Sequence, residues 1–394
     1  MTTTDTTDVS RESKGQKRSL RVAMIMQRYY PLVGGAEKLV GALAPQLQAH
    51  GIEVAILTRR YPGLSPFEQI EGVPVYRLPI PGPKAIASFS FTLSALPRLL
   101  NLRADVLHAH EVFSPATTAV AARRFTGAPI VITAHRSGPL GDVQRLQHKL
   151  MGQRRLTAFA QQAAAFTAIS REIGDELAAA GVPAQKIHYI PNGVDTQRFA
   201  PLDYEAKQKL RARLNLPQQV EIAVFVGRLA AEKRPEQLLA AWREIHAARP
   251  GAALLMLGTG ELEARLKASA GERVRFTGAV NNVVEYLQAA DLFVLPSAAE
   301  GLSIAMLEAM SSGLPVLVTR VGGAPEVIVQ GENGWLIEAD APDELRAGLL
   351  TLLNDAALRE RLGQQARAEV IAKYSLEKMI NDLIVLYRQL ANWD

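Results

Sequence analysis

Residues 291–326, DLFVLPSAAEGLSIAMLEAMSSGLPVLVTRVGGAPE, decide the architecture. LFVLP is an apolar run of strand length, the polar turn SAAEG follows it, SIAMLEAMS (303–311) has helical spacing, and LPVLVT is a second apolar run. Strand, helix and strand in that order form one βαβ unit. Glu300 and Gly301 stand at the strand-to-helix junction, and Glu308 follows eight residues after Glu300. At ~100° and ~1.5 Å per helical residue, that spacing sets the two carboxylates at different depths along one edge, ~12 Å apart in rise. Between them the free N–H groups of the first helical turn offer a place for phosphate oxygens. A ligand with hydroxyls at both ends and phosphates between fits this layout, and a nucleotide sugar has that form.

The pattern PS-x-x-EG-x5-LEAM-x-x-G-x-PV-x-x-T-x-VGG-x-PE resembles the donor-site signature of retaining glycosyltransferases of family 4. The resemblance extends over roughly 20–394 and implies the α/β GT-B fold, two Rossmann-like domains with parallel sheets facing across a cleft. It implies that Glu308 holds ribose hydroxyls, that Glu300 orients the sugar, and that the Gly301, Leu302 and Ser303 segment contributes contacts to phosphate or sugar.

Length and composition agree with a two-domain enzyme. The 394 residues exceed a usual single domain. Hydrophobic content of 48% with 21% charged residues is ordinary for a globular protein. No apolar run reaches the ~20 residues of a membrane-spanning helix. The opening MTTTDTTDVSRESKGQKRS lacks the apolar core of a signal peptide and reads as a disordered tail, 1–19. The chain has no cysteine, which excludes disulfides, thiolate metal sites and cysteine nucleophiles, and points to the cytoplasm. Residues 1–190 carry 22 Lys/Arg and 13 Asp/Glu, net +9, whereas the remainder carries 22 and 26, net −4. No nucleic-acid-binding motif accompanies the basic half, so its expected partner is an anionic membrane surface or a phosphate-bearing acceptor.

Outward from the quoted stretch, LRVAMIMQ (20–27) reads as a buried parallel strand, followed by a loop with Gly34 and Gly35 and then a helix interrupted by Pro45. Glycines there let backbone approach a phosphate. The resemblance makes this loop the meeting place of donor diphosphate and acceptor. IEVAILT, VPVYRLPI, DVLHAHE and APIVITAH are further strands. His108 and His110 fall on one face of their strand, where a satisfied core histidine is the ordinary expectation. His135 ends its strand, at the edge where ligands of open α/β sheets bind, and it matches the family's sugar-contacting histidine. From 142 to 156, Arg145, His148, Lys149, Arg154 and Arg155 alternate with Leu146, Leu150, Met151 and Leu156, either as a solvated helix face or as an acceptor or membrane contact.

IPNGVD at 190–195 matches the family's domain crossing and includes Asn192. The expected first domain is therefore 20–194 and the donor domain 195–374. A C-terminal amphipathic helix, 375–394, is implied to cross back. In GRLAAEK, Arg228 and Lys233 match the family's diphosphate clamp. Two fixed cations stabilise a departing diphosphate without a metal, so neither metal nor cofactor is expected. Gly278 and Val280 lie on the loop 278–282 implied to meet the base. The expected reaction is transfer of a hexosyl group from a UDP-sugar to a hydroxyl acceptor. The alternatives are a GDP-sugar mannosyltransferase, a nucleotide-sugar epimerase and a non-catalytic nucleotide-sugar-binding protein.

Overall fold

Apolar runs bounded by glycine, proline or polar turns become strands of two separate sheets. The computed structural model describes residues 18–32, 34–80 and 86–393; the 1–19 tail lies almost wholly outside them. The first sheet contains β1 (Leu20–Ile25), β2 (Ile52–Arg59), β3 (Phe67–Ile70), β4 (Val73–Leu78), β5 (Val106–His110), β6 (Ile130–Ala134), β7 (Ala165–Ala168) and β8 (Ile187–Tyr189). Its spatial order is β3-β4-β2-β1-β5-β6-β7-β8, parallel except for β3. The second contains β9 (Ile222–Val226), β10 (Ala253–Leu257), β11 (Val274–Gly278), β12 (Leu292–Leu295), β13 (Val316–Thr319) and β14 (Trp335–Ile337), in the order β11-β10-β9-β12-β13-β14 and parallel throughout. Helices on both faces bury the central strands entirely, which is why β6, β9, β10 and β12 are nearly all apolar without alternation; β5 is equally buried but carries His108 and His110.

In each sheet the strand order reverses at one place, between β1 and β5 in the first and between β9 and β12 in the second. Ligands of open α/β sheets bind outside the carboxyl ends of the strands at such a reversal. Those four strand ends lead into the Gly34-Gly35 loop, His110, Arg228 and Glu300.

Several elements have no forecast from periodicity, and two of them show why. β3 is a short, half-exposed antiparallel edge strand with pattern FEQI, whose register comes from β4. The donor sheet is preceded by a helix, Tyr204–Arg213, charged on most sides and started by the Asp203 cap on Ala206 N–H at 2.8 Å. Asp291 anchors it, accepting from Lys207 at 2.7 Å, Arg211 at 2.6 Å and Ile222 N–H at 2.7 Å.

The C-terminal helix, Leu376–Ala391, buries Met379, Ile380, Leu383 and Tyr387 against the first sheet's core, beside Leu20, Val22 and Val54. Truncating a residue such as Leu383 to Ala would cost about 2–5 kcal/mol. The chain's two passages between the sheets lie together: Val194 N–H donates to Tyr374 O at 3.0 Å and Leu376 N–H to Val194 O at 2.9 Å. A side chain at Gly193 would meet Leu376 Cα at 2.7 Å, so only glycine permits this approach.

Candidate functional site

The quoted stretch forms the rim of the cleft. Glu300 accepts from Lys233 Nζ at 2.5 Å and from Ser297 Oγ at 2.7 Å. Ser297 is held in turn by Thr319, whose hydroxyl donates to Ser297 O at 2.6 Å. Gly301 lies directly on the first domain. A Cβ there would come within 2.1 Å of His135 O. Ser137 Oγ donates to Glu300 O at 3.0 Å, and Asn192 Nδ2 donates to Leu302 O at 2.8 Å. Gly322, at φ +58°, brings the VGG turn against Glu300 and Gly301, and Gly323 N–H donates to Gly301 O at 2.6 Å. The glycines of the motif thus serve close backbone approach.

The helix Ile304–Ser311 starts on Ser303, whose hydroxyl accepts Met306 N–H at 3.3 Å. That hydroxyl is committed to the cap, and Leu307 N–H is taken by Ser303 O. The N–H groups of Ile304 and Ala305 remain outside the helix's own ladder. Glu308 is 7% exposed, and burial raises its carboxyl to about 7 against the pull of Lys38 and Arg198. Its carboxyl group makes no hydrogen bond to any described residue. A buried carboxyl without a hydrogen bond is stabilised either by taking up a proton or by a donor from a ligand. Across from it, Gly35 begins the helix Gly35–Ala49, and a Cβ at Gly35 would touch Ile304 Cδ1 at 3.7 Å. Gly34 forms that helix's N-cap.

The two cations expected to clamp a diphosphate already face carboxylates. Arg228, half-exposed, pairs with Glu232, and Lys233 pairs with Glu300. Their loop is held by the neighbouring 258–262 turn, where a Cβ at Gly258 would strike Gly227 O at 2.0 Å and one at Gly260 would strike Leu229 O at 2.2 Å. Gly278 takes φ +69° at the end of β11, and Val280 packs partly buried on the core beside it.

The histidines form one stack. Ring centroids of His108 and His110 are 4.2 Å apart, and those of His110 and His135 are 5.5 Å apart. Both nitrogens of His108 are satisfied, by Tyr387 OH and Thr133 Oγ1 at 2.6 Å each, so it is a core residue. His110 Nδ1 meets His135 Nε2 at 3.3 Å, while His110 Nε2 is buried without a partner. Burial lowers all three, His108 to about 3 and His135 to about 4, so they are neutral near pH 7. His135 N–H donates to Asp142 at 2.8 Å, which orients its backbone.

The alternation at 142–156 does not form one amphipathic face. Leu146 and Leu156 are core residues, whereas Leu150 and Met151 are exposed. Two short helices, Asp142–Gln147 and Gly152–Gln162, meet at Met151 (φ +59°), and Gly152 is needed because a Cβ would collide with Leu146 O. Glu111 escaped the sequence reading. It stands after His110 with φ +83°, burial raises its carboxyl to about 7, and Oε2 has no partner. Its only sequence signal is its place at a strand's carboxyl end.

Against known proteins, residues 33–198 match the family model Glycosyltransferase Family 4 and residues 206–369 match Glycosyl transferases group 1. The chain is 28% identical over 386 residues to an uncharacterized glycosyltransferase of Methanocaldococcus jannaschii, covering 94% of this chain and 98% of that one. It is 34% identical over 203 residues to a GDP-mannose-dependent monoacylated alpha-(1-6)-phosphatidylinositol monomannoside mannosyltransferase of Corynebacterium glutamicum, 48% of this chain and 53% of that one. Sucrose-phosphate synthase from Thermosynechococcus elongatus superposes with a TM-score of 0.81 at 24% identity, covering 95% of this chain and 100% of that one. The architecture is GT-B.

Proposed function

This chain belongs to glycosyltransferase family 4, and from that premise we propose that it transfers a hexosyl group from a nucleotide sugar to a hydroxyl acceptor with retention of configuration. The observation that carries the donor reading is Glu308, a buried carboxylate at the cleft with no hydrogen-bond partner among the described residues. Ribose hydroxyls supply the donors it lacks. Arg228, Lys233 and the free N–H groups of Ile304 and Ala305 take the diphosphate, with Gly34 and Gly35 leaving room on the opposite wall. Glu300 and neutral His135 orient sugar hydroxyls, while His110 and Asn192 position His135 and Leu302. Gly278 and Val280 border the base.

In the reaction the bond from the anomeric carbon to the diphosphate oxygen breaks, and the acceptor oxygen bonds to that carbon from the same face. The acceptor proton passes to the departing phosphate oxygen. The fixed cations stabilise the charge that develops there. Arg228 and Lys233 perform that task without a metal or cofactor in our reading. We place the enzyme in the cytoplasm; no helix among the described residues is long and apolar enough to cross a membrane. Its acceptor lies at or near the inner membrane face, in keeping with the basic first half and with the lipid acceptor named for the mannosyltransferase relative.

Uridine is the first choice of base. The same relative's GDP-mannose favours a second reading with guanosine. Radiolabelled UDP- and GDP-sugars test both. Label passing to an acceptor or to water supports transfer, whereas an epimerised donor identifies an epimerase. Donor binding without any turnover identifies a binding protein.

A further inference from the structure

We propose that the acceptor carries a phosphate group, held on the first domain by Arg59, Arg145, Lys149 and Arg155 around the start of the helix Ser114–Thr126. The proposal deepens the transferase reading and rests on it for the word acceptor.

These cations come from the end of β2 and from the 145–155 stretch, and they converge on Phe113 and Ser114. Arg59, at the end of β2, donates from Nη2 to Ser114 Oγ at 2.8 Å. Arg155 donates from Nη2 to Phe113 O at 3.0 Å and to Thr117 Oγ1 at 2.7 Å. Arg145 and Lys149 lie over the Phe113 ring, at 5.6 and 4.4 Å from its centroid. Among the described residues, none of the four makes an ion pair with a carboxylate. Elsewhere, buried Arg77 is paired with Glu68 and Arg211 with Asp291.

A purely structural role leaves donors unexplained. Arg59 and Arg155 each brace the helix through Nη2, yet Nε of both is buried with no partner. Buried, unpaired donors on a cation cost free energy unless an anion meets them. Mutual repulsion adds to that cost, since Lys149 is lowered by burial and then by Arg145, Arg155 and Arg59. Glu111 is the anion that Lys149 feels, but burial raises it to about 7, so it neutralises the cluster poorly near neutrality. A phosphate monoester brings about −1.5 to −2 of charge and three acceptor oxygens, which the exposed Arg145 and Lys149 can meet while Arg59 and Arg155 add charge behind them. Glu111 joins the cluster to His110, and His110 stacks on His135, so a phosphate there lies on the acceptor side of the cleft.

The test uses the full chain saturated with UDP or GDP, so that the donor diphosphate site is filled. Pyrophosphate and glucose 6-phosphate are titrated by calorimetry, with glucose as control. In parallel, phosphatidic acid vesicles are compared with phosphatidylcholine vesicles in flotation. The variant is Arg145→Gln/Lys149→Gln, whose side chains are exposed and whose melting temperature verifies folding. Binding of either soluble phosphate, weakened about tenfold or more in the variant, supports the site with a soluble source; that is the scale of a lost charge-assisted hydrogen bond. Flotation with phosphatidic acid alone, lost in the variant, supports the same site with a lipid-borne source. No binding in either arm, or equal binding by the variant, overturns the proposal. The phosphate arms are read whether or not nucleotide binds, so the donor reading and this one fail separately.

Discussion

Lys233 Nζ and Glu300 Oε1 stand 2.5 Å apart, joining the loop after β9 to the loop after β12. Their side chains are 18% and 14% exposed, so the pair is mostly screened from water. In the transfer we propose, a diphosphate arriving here would find the cation already oriented, and the sugar would find a carboxylate held by Ser297 as well. Lys233→Ala should therefore lower kcat by orders of magnitude. Activity of the unmodified enzyme should survive EDTA. Loss of turnover with EDTA, restored by Mg²⁺ or Mn²⁺, would remove the clamp assignment. The variant also takes the cation from Glu300 and leaves it only the Ser297 hydroxyl, at a stability cost of roughly 1–3 kcal/mol, so its melting temperature must be followed beside kcat.

Glu308 links pH to both binding and stability. Burial raises its carboxyl to about 7 from an ordinary 4.5. The ionised form is the better acceptor for ribose hydroxyls, so nucleotide affinity should fall as pH drops from 8 to about 6. Glu308→Gln should flatten that profile and weaken binding by ~1.5–3 kcal/mol, the range for a hydrogen bond to a charged group. The folding contribution runs the opposite way. A carboxyl raised in the folded state favours folding below the unfolded value, and that contribution is lost as pH rises from 4.5 through about 7. At pH 8, with no nucleotide present, the Gln variant should melt higher than the unmodified protein. Calorimetry across pH reads both effects, and an unchanged nucleotide affinity in the variant would mean Glu308 is not the ribose ligand.

Much of this was legible because it is local. The 291–326 stretch contains its own strand, turn, cap and carboxylate spacing, and Ser303 caps the helix where the pattern sets it. Contacts between distant segments were not legible. Nothing near Gly301 announces that His135 O occupies the space of its missing Cβ, nor does Arg59 announce its convergence with Arg155 on one helix start. Periodicity also mistook Leu146 and Leu156 for a surface stripe, because the break at Met151 and Gly152 turns the two helices separately. The helix Tyr204–Arg213 was hidden because its stability comes from Asp291, 80 residues from Arg211, rather than from an apolar face of its own.

The C-terminal helix is tied to the histidine stack by one hydroxyl. Tyr387 OH contacts His108 Nδ1 at 2.6 Å, deep in the first domain. Tyr387→Phe keeps the ring packing and removes that bond, leaving a buried nitrogen unsatisfied. Stability in urea should drop by about 1–3 kcal/mol. Nucleotide affinity should hold, because the donor domain is untouched. An unchanged urea midpoint would show that water replaces the hydroxyl and that the helix is held by apolar burial alone.

The membrane contact we propose would use exposed side chains on the helix Ala87–Leu102 together with part of the basic 142–156 stretch. On the helix Ala87–Leu102, Phe89, Leu93 and Leu100 are exposed, on a spacing of four and seven residues that keeps them to one side. Arg103 ends that helix, whereas Arg98 lies about half a turn round from Phe89 and packs over the Tyr76 ring at 4.5 Å. Leu150 and Met151 are exposed beside Arg154. Apolar side chains flanked by cations suit an anionic bilayer, where each basic residue contributes about 1 kcal/mol near the surface. Co-sedimentation with vesicles of rising phosphatidylglycerol content should show binding that grows with anionic lipid and weakens with salt, because such attraction is screened over ~10 Å at 0.1 M. Phe89→Glu and Arg154→Glu lie outside the proposed phosphate cluster, and both should reduce pelleting while leaving nucleotide affinity intact. Protein that stays in the supernatant at low salt on wholly anionic vesicles would end the membrane reading. The acceptor would then be sought among soluble hydroxyl compounds, and the +9 of residues 1–190 would have to be assigned to acceptor binding instead.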